Sequence, residues 1–192
     1  MNDFHHEKAV KIVMLGNCSV GKTSLVMQFY NKLFMKKSNA TICGNYISKI
    51  VQTNNGDLTL NIWDTAGEEK FRSLMPMYTR GSQAAIIVFN IQDEDSFLSV
   101  PEWIDLIQKN ELYRCKIYIV ANQIDLGKTP LLNKARTWAA SNNYKFFVAS
   151  AKYNDAVTDI FQCIAEELNG NDNYHMKTQF SILQQRKKKK CC

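Results

Sequence analysis

The sequence predicts an α/β fold, a mixed and mostly parallel six-stranded sheet with one antiparallel edge hairpin and helices on both faces. Three observations carry the prediction. Short β-rich runs alternate with helical stretches along the 192 residues, the order that builds parallel crossovers. The runs 84–90, 116–121 and 145–149 are apolar without alternation, as strands covered on two faces are. The runs 46–53 and 58–62 flank Asn54-Asn55-Gly56, a turn suited to an antiparallel hairpin.

The elements follow in order. Ala9 to Leu15 reads as the first strand, and a helix carrying Leu25, Val26 and Phe29 comes after it. Leu58, Leu60 and Ile62 alternate with Thr59 and Asn61, the period of a half-buried strand. Ser99 and Glu102 have capping-box spacing around Pro101, and Thr129 stands before Pro130 as an N-cap stands before a first helical position. In the last helix Ala156, Val157, Ile160, Phe161, Ile164, Ala165 and Leu168 share one face, which is core packing. From Asn169 the polar residues and a lysine run predict a flexible tail. The expected division is an N-terminal extension 1–7, a domain 8–168 and a tail 169–192; there is no internal repeat.

The length suits one domain with a sizeable core. The 45% hydrophobic and 11% aromatic content is that of a globular chain. Of the net charge of +6, the segment 169–192 holds +5, with six cations against Asp172. A nearly neutral body speaks against a nucleic-acid groove, and the basic tail points to an anionic surface. No apolar run approaches the ~18 residues that span a bilayer. The polar start lacks the basic and apolar regions of a secretory signal. Cys18, Cys43, Cys115 and Cys163 lack metal-ligand spacing, and the other two of the six cysteines are the final residues, so the expected setting is reducing and cytosolic.

Gly16-Asn17-Cys18-Ser19-Val20-Gly21-Lys22-Thr23 fits the phosphate-loop pattern of the P-loop NTPases, and it lies between a strand and a helix as that pattern requires. Its glycines let successive backbone N–H groups face phosphate oxygens at a helix N-terminus. Lys22 supplies charge to the β and γ phosphates and Thr23 a hydroxyl to Mg²⁺. The loop alone does not separate kinase, ATPase and GTPase. Asp64-Thr65-Ala66-Gly67 follows a strand and offers a carboxylate for Mg²⁺. Asn122-Gln123-Ile124-Asp125 and Ser150-Ala151-Lys152 also follow strands, at the edge where open α/β sheets bind ligands. Asp125 can accept two hydrogen bonds from the guanine ring N–H and exocyclic amine, a pair adenine does not offer.

With these segments, and with Leu60-Asn61-Ile62-Trp63, Lys70-Phe71-Arg72-Ser73-Leu74 and Tyr78-Thr79-Arg80-Gly81-Ser82, the chain resembles the small GTPases of the Ras superfamily and their Rab branch over residues 8 to 168. The resemblance implies a GTP/GDP switch with Mg²⁺ held by Thr23, Thr41 and Asp64. It implies nucleotide contacts from Ser19, Val20, Gly21, Lys22, Thr23 and Ser24, from Phe34 against the guanine, and from Asn122, Gln123, Asp125, Ser150, Ala151 and Lys152. Thr41 and the backbone N–H of Gly67 would reach the γ-phosphate only in the GTP state, so hydrolysis would release two loops and change partner binding. The catalytic set so implied is Lys22, Thr41, Gly67 and Glu68. Phe34 has a second reading as a helix-end core aromatic. Tyr46, Trp63 and Tyr78 read equally as an aromatic trio reporting to effectors or as core.

Three departures matter. Glu68 stands at the family's water-orienting glutamine; an ionised carboxylate cannot donate a hydrogen bond and brings negative charge towards the γ-phosphate, so slow hydrolysis is expected. Gln123 replaces the lysine whose stem covers guanine and whose charge braces the phosphate loop, so weaker affinity and faster release are expected. Ile42-Cys43-Gly44-Asn45-Tyr46 departs from the Rab pattern after the switch threonine, which leaves effector identity open. Cys18 reads as a small packed side chain.

Arg186 to Lys190 precede Cys191-Cys192, which is not the C-a-a-X signal because no residue follows. The resemblance implies double geranylgeranylation at Cys191 and Cys192, through a prenylation escort protein and a dedicated transferase, with a soluble lipid chaperone as a further partner. Two lipids beside a basic run anchor stably, each Lys or Arg adding ~1 kcal/mol near anionic lipid. The expected partners are guanine nucleotide, effectors, an exchange factor and a GTPase-activating protein, and the membrane, with no nucleic acid. The expected location is the cytoplasmic face of intracellular membranes with a cytosolic pool, in vesicle traffic. A GTP-binding recruitment module that does not hydrolyse is the competing reading, and a small-substrate kinase leaves Asn122, Asp125 and Ser150 to Lys152 without a purpose.

Overall fold

The computed structural model describes residues 8–34, 41, 44–65, 75–110, 115–127 and 129–170. Gly67, Glu68, the 70–74 stretch, Cys43 and the lipidation candidates Cys191 and Cys192 lie outside the described residues. The chain runs β1 (Lys8–Leu15), α1 (Lys22–Asn31), β2 (Asn45–Thr53), β3 (Gly56–Asp64), α2 (Met75–Thr79), β4 (Ala84–Asn90), α3 (Glu94–Leu98), α4 (Val100–Asn110), β5 (Lys116–Asn122), α5 (Pro130–Ser141), β6 (Lys145–Val148) and α6 (Asn154–Leu168). The six strands form one sheet in the order β2-β3-β1-β4-β5-β6. Only β2 runs antiparallel, paired with β3 from Asn45↔Asp64 to Thr53↔Gly56. The expected mixed sheet and its edge hairpin are therefore both present.

Side-chain alternation along β1 splits the core in two. Ile12 and Met14 face the layer that holds Leu25, Val26 and Phe29 of α1 and Val157, Ile160, Phe161 and Ile164 of α6. Val13 and Leu15 face the opposite layer, built from Phe97 of α3, Val100, Trp103, Ile104 and Ile107 of α4, and Leu131, Leu132 and Ala135 of α5. Between α1 and α6, Phe29 and Phe161 stack with centroids 4.1 Å apart. Removing a buried ring such as Phe161 costs about 3–5 kcal/mol.

The far end of α6 closes on the edge hairpin. Glu166, only 2% exposed, accepts the Asn54 N–H with both carboxylate oxygens at 3.1 Å. Asn169 Nδ2 donates to Thr53 Oγ1 at 2.7 Å, and Asn55 Nδ2 returns a bond to the Asn169 carbonyl at 2.9 Å.

Two caps differ in detail from the sequence expectation. Thr129 is the N-cap of α5 with Pro130 first in the helix, but its hydroxyl donates to the Ile91 carbonyl at 2.8 Å rather than accepting from its own helix. Ser99 closes α3, and its hydroxyl donates to the Asp95 carbonyl at 2.9 Å. The parallel arrangement brings the carboxyl ends of β1, β3, β5 and β6 to one edge, each followed by a segment singled out above.

Candidate nucleotide and magnesium site

The loop after β1 turns because its first residue has no side chain. Gly16 has φ +131°, and a Cβ there would lie 2.1 Å from the Val88 carbonyl oxygen of β4. Gly21, at φ +92°, is the N-cap of α1, and its carbonyl accepts from Leu25 N at 3.0 Å to start the helix. A Cβ on Gly21 would lie 2.4 Å from Asn122 Nδ2, so β5 passes directly behind the loop.

Lys22 is 6% exposed, and its ammonium donates to the Gly16 and Asn17 carbonyls, each at 2.7 Å. Burial lowers its pKa from 10.5 to about 8, and the nearby charge of Asp64 works against that shift. Thr23 Oγ1 donates to Asp64 Oδ2 at 2.6 Å and lies 2.8 Å from Thr41 Oγ1. Three oxygens of three separate segments thus meet, the hard donor set that Mg²⁺ takes. Asp64 is buried, and among the described residues its Oδ1 has no hydrogen-bond partner. Its pKa is raised by that burial, with Thr23 and Lys22 opposing. A desolvated carboxylate with one oxygen unspent next to two hydroxyls is a cation seat.

The other end of the edge is closed by side-chain hydrogen bonds. Asn122 is buried; its Nδ2 donates to the Val20 carbonyl at 2.8 Å and its Oδ1 accepts from Ala151 N at 3.3 Å. One side chain therefore ties the phosphate loop, β5 and the segment after β6 together. Ser150 Oγ donates to Asp125 Oδ1 at 2.6 Å and accepts from Lys152 N at 3.2 Å, which fixes the Asp125 carboxylate. Gln123 sits at φ 64° and donates from Nε2 to the Ser19 carbonyl at 3.0 Å. The loop brace expected of a lysine is thus made by an amide, without the charge.

Of the remaining expected residues, Val20 is buried, Ser24 is half-buried on the first turn of α1, and Ser19 and Lys152 are exposed. Phe34 is 43% exposed past the end of α1, which excludes the core-aromatic reading. Cys18 is exposed, so it is not the packed side chain expected from sequence. Tyr46, Trp63 and Tyr78 form one row with centroids 5.2 Å and 6.0 Å apart, and Tyr46 at its end is 53% exposed. The row is neither fully core nor free of it.

Two contacts escaped the sequence reading. Thr65 Oγ1 donates to the Met14 carbonyl at 2.7 Å, pinning the start of the segment after β3 to β1. The Asn17 carboxamide joins Ser99 and Trp103, partners 82 and 86 residues away. Asn17 occupies a variable place in the loop pattern, and no spacing signal connects such distant residues.

Residues 11–170 match the family model described as Ras family. The chain is 35% identical over 170 residues to "Ras-related protein Rab-5A" of Dictyostelium discoideum, which covers 88% of this chain and 85% of that protein. It is 36% identical over 166 residues to both "Ras-related protein Rab5" of Nicotiana tabacum and "Ras-related protein RHN1" of Nicotiana plumbaginifolia, with 85% of this chain and 83% of each relative covered. Among the described residues no helix is long and apolar enough to cross a membrane. The loop after β1, the Thr23, Thr41 and Asp64 oxygens and the Ser150-bound Asp125 carboxylate lie on one sheet edge, and the matches give the family: the chain belongs to the Ras family, as a small GTPase of the Rab type.

Proposed function

We propose that the protein is a GTP/GDP switch that hydrolyses GTP slowly and acts in vesicle traffic on the cytosolic face of intracellular membranes. The observation that carries this reading is the shared edge on which Lys22, the Thr23, Thr41 and Asp64 oxygens, and the Ser150-fixed Asp125 carboxylate lie. The residues fit nucleotide and metal: the unspent Asp64 oxygen and the glycine-made cradle are both costly features for a chain that binds neither. Bound Mg²⁺ would neutralise charge developing on the phosphate oxygens.

This chain's own residues would do the rest. Lys22 would keep its two loop carbonyls and give its third N–H to phosphate oxygens in a charge-assisted hydrogen bond. Thr23, Thr41 and Asp64 would hold the metal, and the Gly67 N–H would bind the γ-phosphate. Asp125 would accept from guanine, held at the right angle by Ser150, while Asn122 keeps loop and base segment in register. Phe34 and the Gln123 stem would cover the base. Glu68 would orient water poorly, since an ionised carboxylate only accepts. The row Tyr46, Trp63 and Tyr78 would meet effectors, exchange factor and activating protein, and lipidated Cys191 and Cys192 with the basic tail would hold the membrane.

A GTP-loaded recruitment module that barely hydrolyses is favoured by the same Glu68. Single-turnover hydrolysis by the purified full chain separates the two. In the switch reading the wild type turns over slowly and Glu68→Gln is faster by roughly tenfold or more, as water-positioning groups are worth that or above. A rate at background in both forms supports the recruitment module, and ATP in place of GTP in the purified protein overturns both.

A further inference from the structure

The two carbonyls that hold Lys22 are fixed in different ways. Gly16 is wedged against β4, where no Cβ fits. Asn17 has no such wedge, and the residues after it, Cys18 and Ser19, are exposed, with Ser19 at φ 60°. Its carboxamide supplies what its backbone lacks. Trp103 Nε1 donates to Asn17 Oδ1 at 3.0 Å, and Asn17 Nδ2 donates to Ser99 Oγ at 3.0 Å. The Ser99 hydroxyl donates onward to the Asp95 carbonyl at 2.9 Å. Donors and acceptors alternate correctly along this chain, so the amide has one orientation only. Trp103 itself is 2% exposed in α4, beside the fully buried Val100.

Resting on the nucleotide reading above, we propose that Asn17 is a positioning residue for nucleotide retention: its carboxamide, pinned to Trp103 and Ser99 of the α3–α4 corner, fixes the backbone carbonyl that aims Lys22. A buried core helix thereby sets the direction of the loop's one ammonium. Lys22 loses nothing directly when the anchor is cut, but its second carbonyl becomes free to swing with the exposed half of the loop. The ammonium then spends less time facing phosphate, and release speeds up while base recognition by Asp125 is untouched.

The test is GDP release from the Mg²⁺-loaded full-length protein. Asn17→Ala is expected to release GDP about tenfold faster, the usual worth of a buried side-chain hydrogen bond. Trp103→Phe keeps an aromatic ring, smaller than the indole, and removes the donor, and is expected to do nearly the same. The double variant should be no faster than Asn17→Ala alone, because one anchor cannot be cut twice. Asn17→Asp can still accept from Trp103 and from a turned Ser99 hydroxyl, and should stay within about twofold of wild type. Val51→Ala, on the edge strand β2 at the end of its ladder far from Asp64, lowers the unfolding midpoint without altering release, which separates positioning from general destabilisation. Wild-type release from Asn17→Ala, multiplied effects in the double variant, or no rescue by Asn17→Asp would overturn the anchor. A wild type that retains no guanine nucleotide overturns the nucleotide reading instead, and the role of Asn17 with it.

Discussion

The phosphate end and the guanine end of the site share one sheet edge but are built on opposite principles. At the phosphate end a buried ammonium and a buried carboxylate are both pushed towards neutrality, and one Asp64 oxygen has no partner among the described residues. At the proposed guanine end Asn122 is bonded to Val20 and Ala151, and Ser150 to Asp125. The first region is desolvated without full hydrogen bonding, which costs the fold stability, whereas the second is hydrogen-bonded within the protein. In the proposed switch, affinity would come from the first half of the site and selectivity from the second.

The sharpest way to break this comparison is Lys22→Met. Nucleotide affinity should fall about 10²–10³-fold, the scale for losing a buried hydrogen-bonded charge. The nucleotide-free chain should keep its unfolding midpoint, because a desolvated ammonium leaves with the affinity. A midpoint that drops by several degrees would make the phosphate end a stabilising element after all. Asp125→Ala should do the reverse. Preference for guanine over other purine nucleotides should fall about 10²-fold, and the empty protein should lose about 1–2 kcal/mol as the Ser150 hydroxyl loses its acceptor. Competition binding and thermal unfolding together check both halves.

Gln123→Lys gives the smallest effect and sharpens the boundary between the two ends. The bond to the Ser19 carbonyl is already made by an amide, so a lysine adds charge but no new anchor. GDP dissociation should slow by about three- to fivefold, the worth of a partly solvated charge. No change would assign the loop brace entirely to the hydrogen bond.

Much of the fold was legible because its signals are local. Unalternated runs marked central strands to within a residue or two, as at Ala84–Asn90, and the Asn54-Asn55-Gly56 turn marked the hairpin. The candidate segments that meet on one edge were legible because each directly follows a strand, β1, β3, β5 or β6. What stayed hidden depends on contacts between remote segments. No pattern could tell that Thr129 spends its hydroxyl on Ile91, that Cys18 faces solvent, or that Asn17 reaches Trp103. Gln123 was read by its missing charge, while its amide geometry required the left-handed backbone at that position.

The clasp between Glu166 and Asn54 has a consequence for synthesis. Its two halves lie 112 residues apart, and at about 5–20 residues per second the β2–β3 hairpin waits roughly 6–20 s for its closing helix. During that wait the hairpin turn lacks its clasp, and β2, whose outer edge stays unpaired in the finished sheet, is held by β3 alone. A chain that ends before residue 166 is therefore expected to hold its edge hairpin less firmly, read as faster amide exchange along β2.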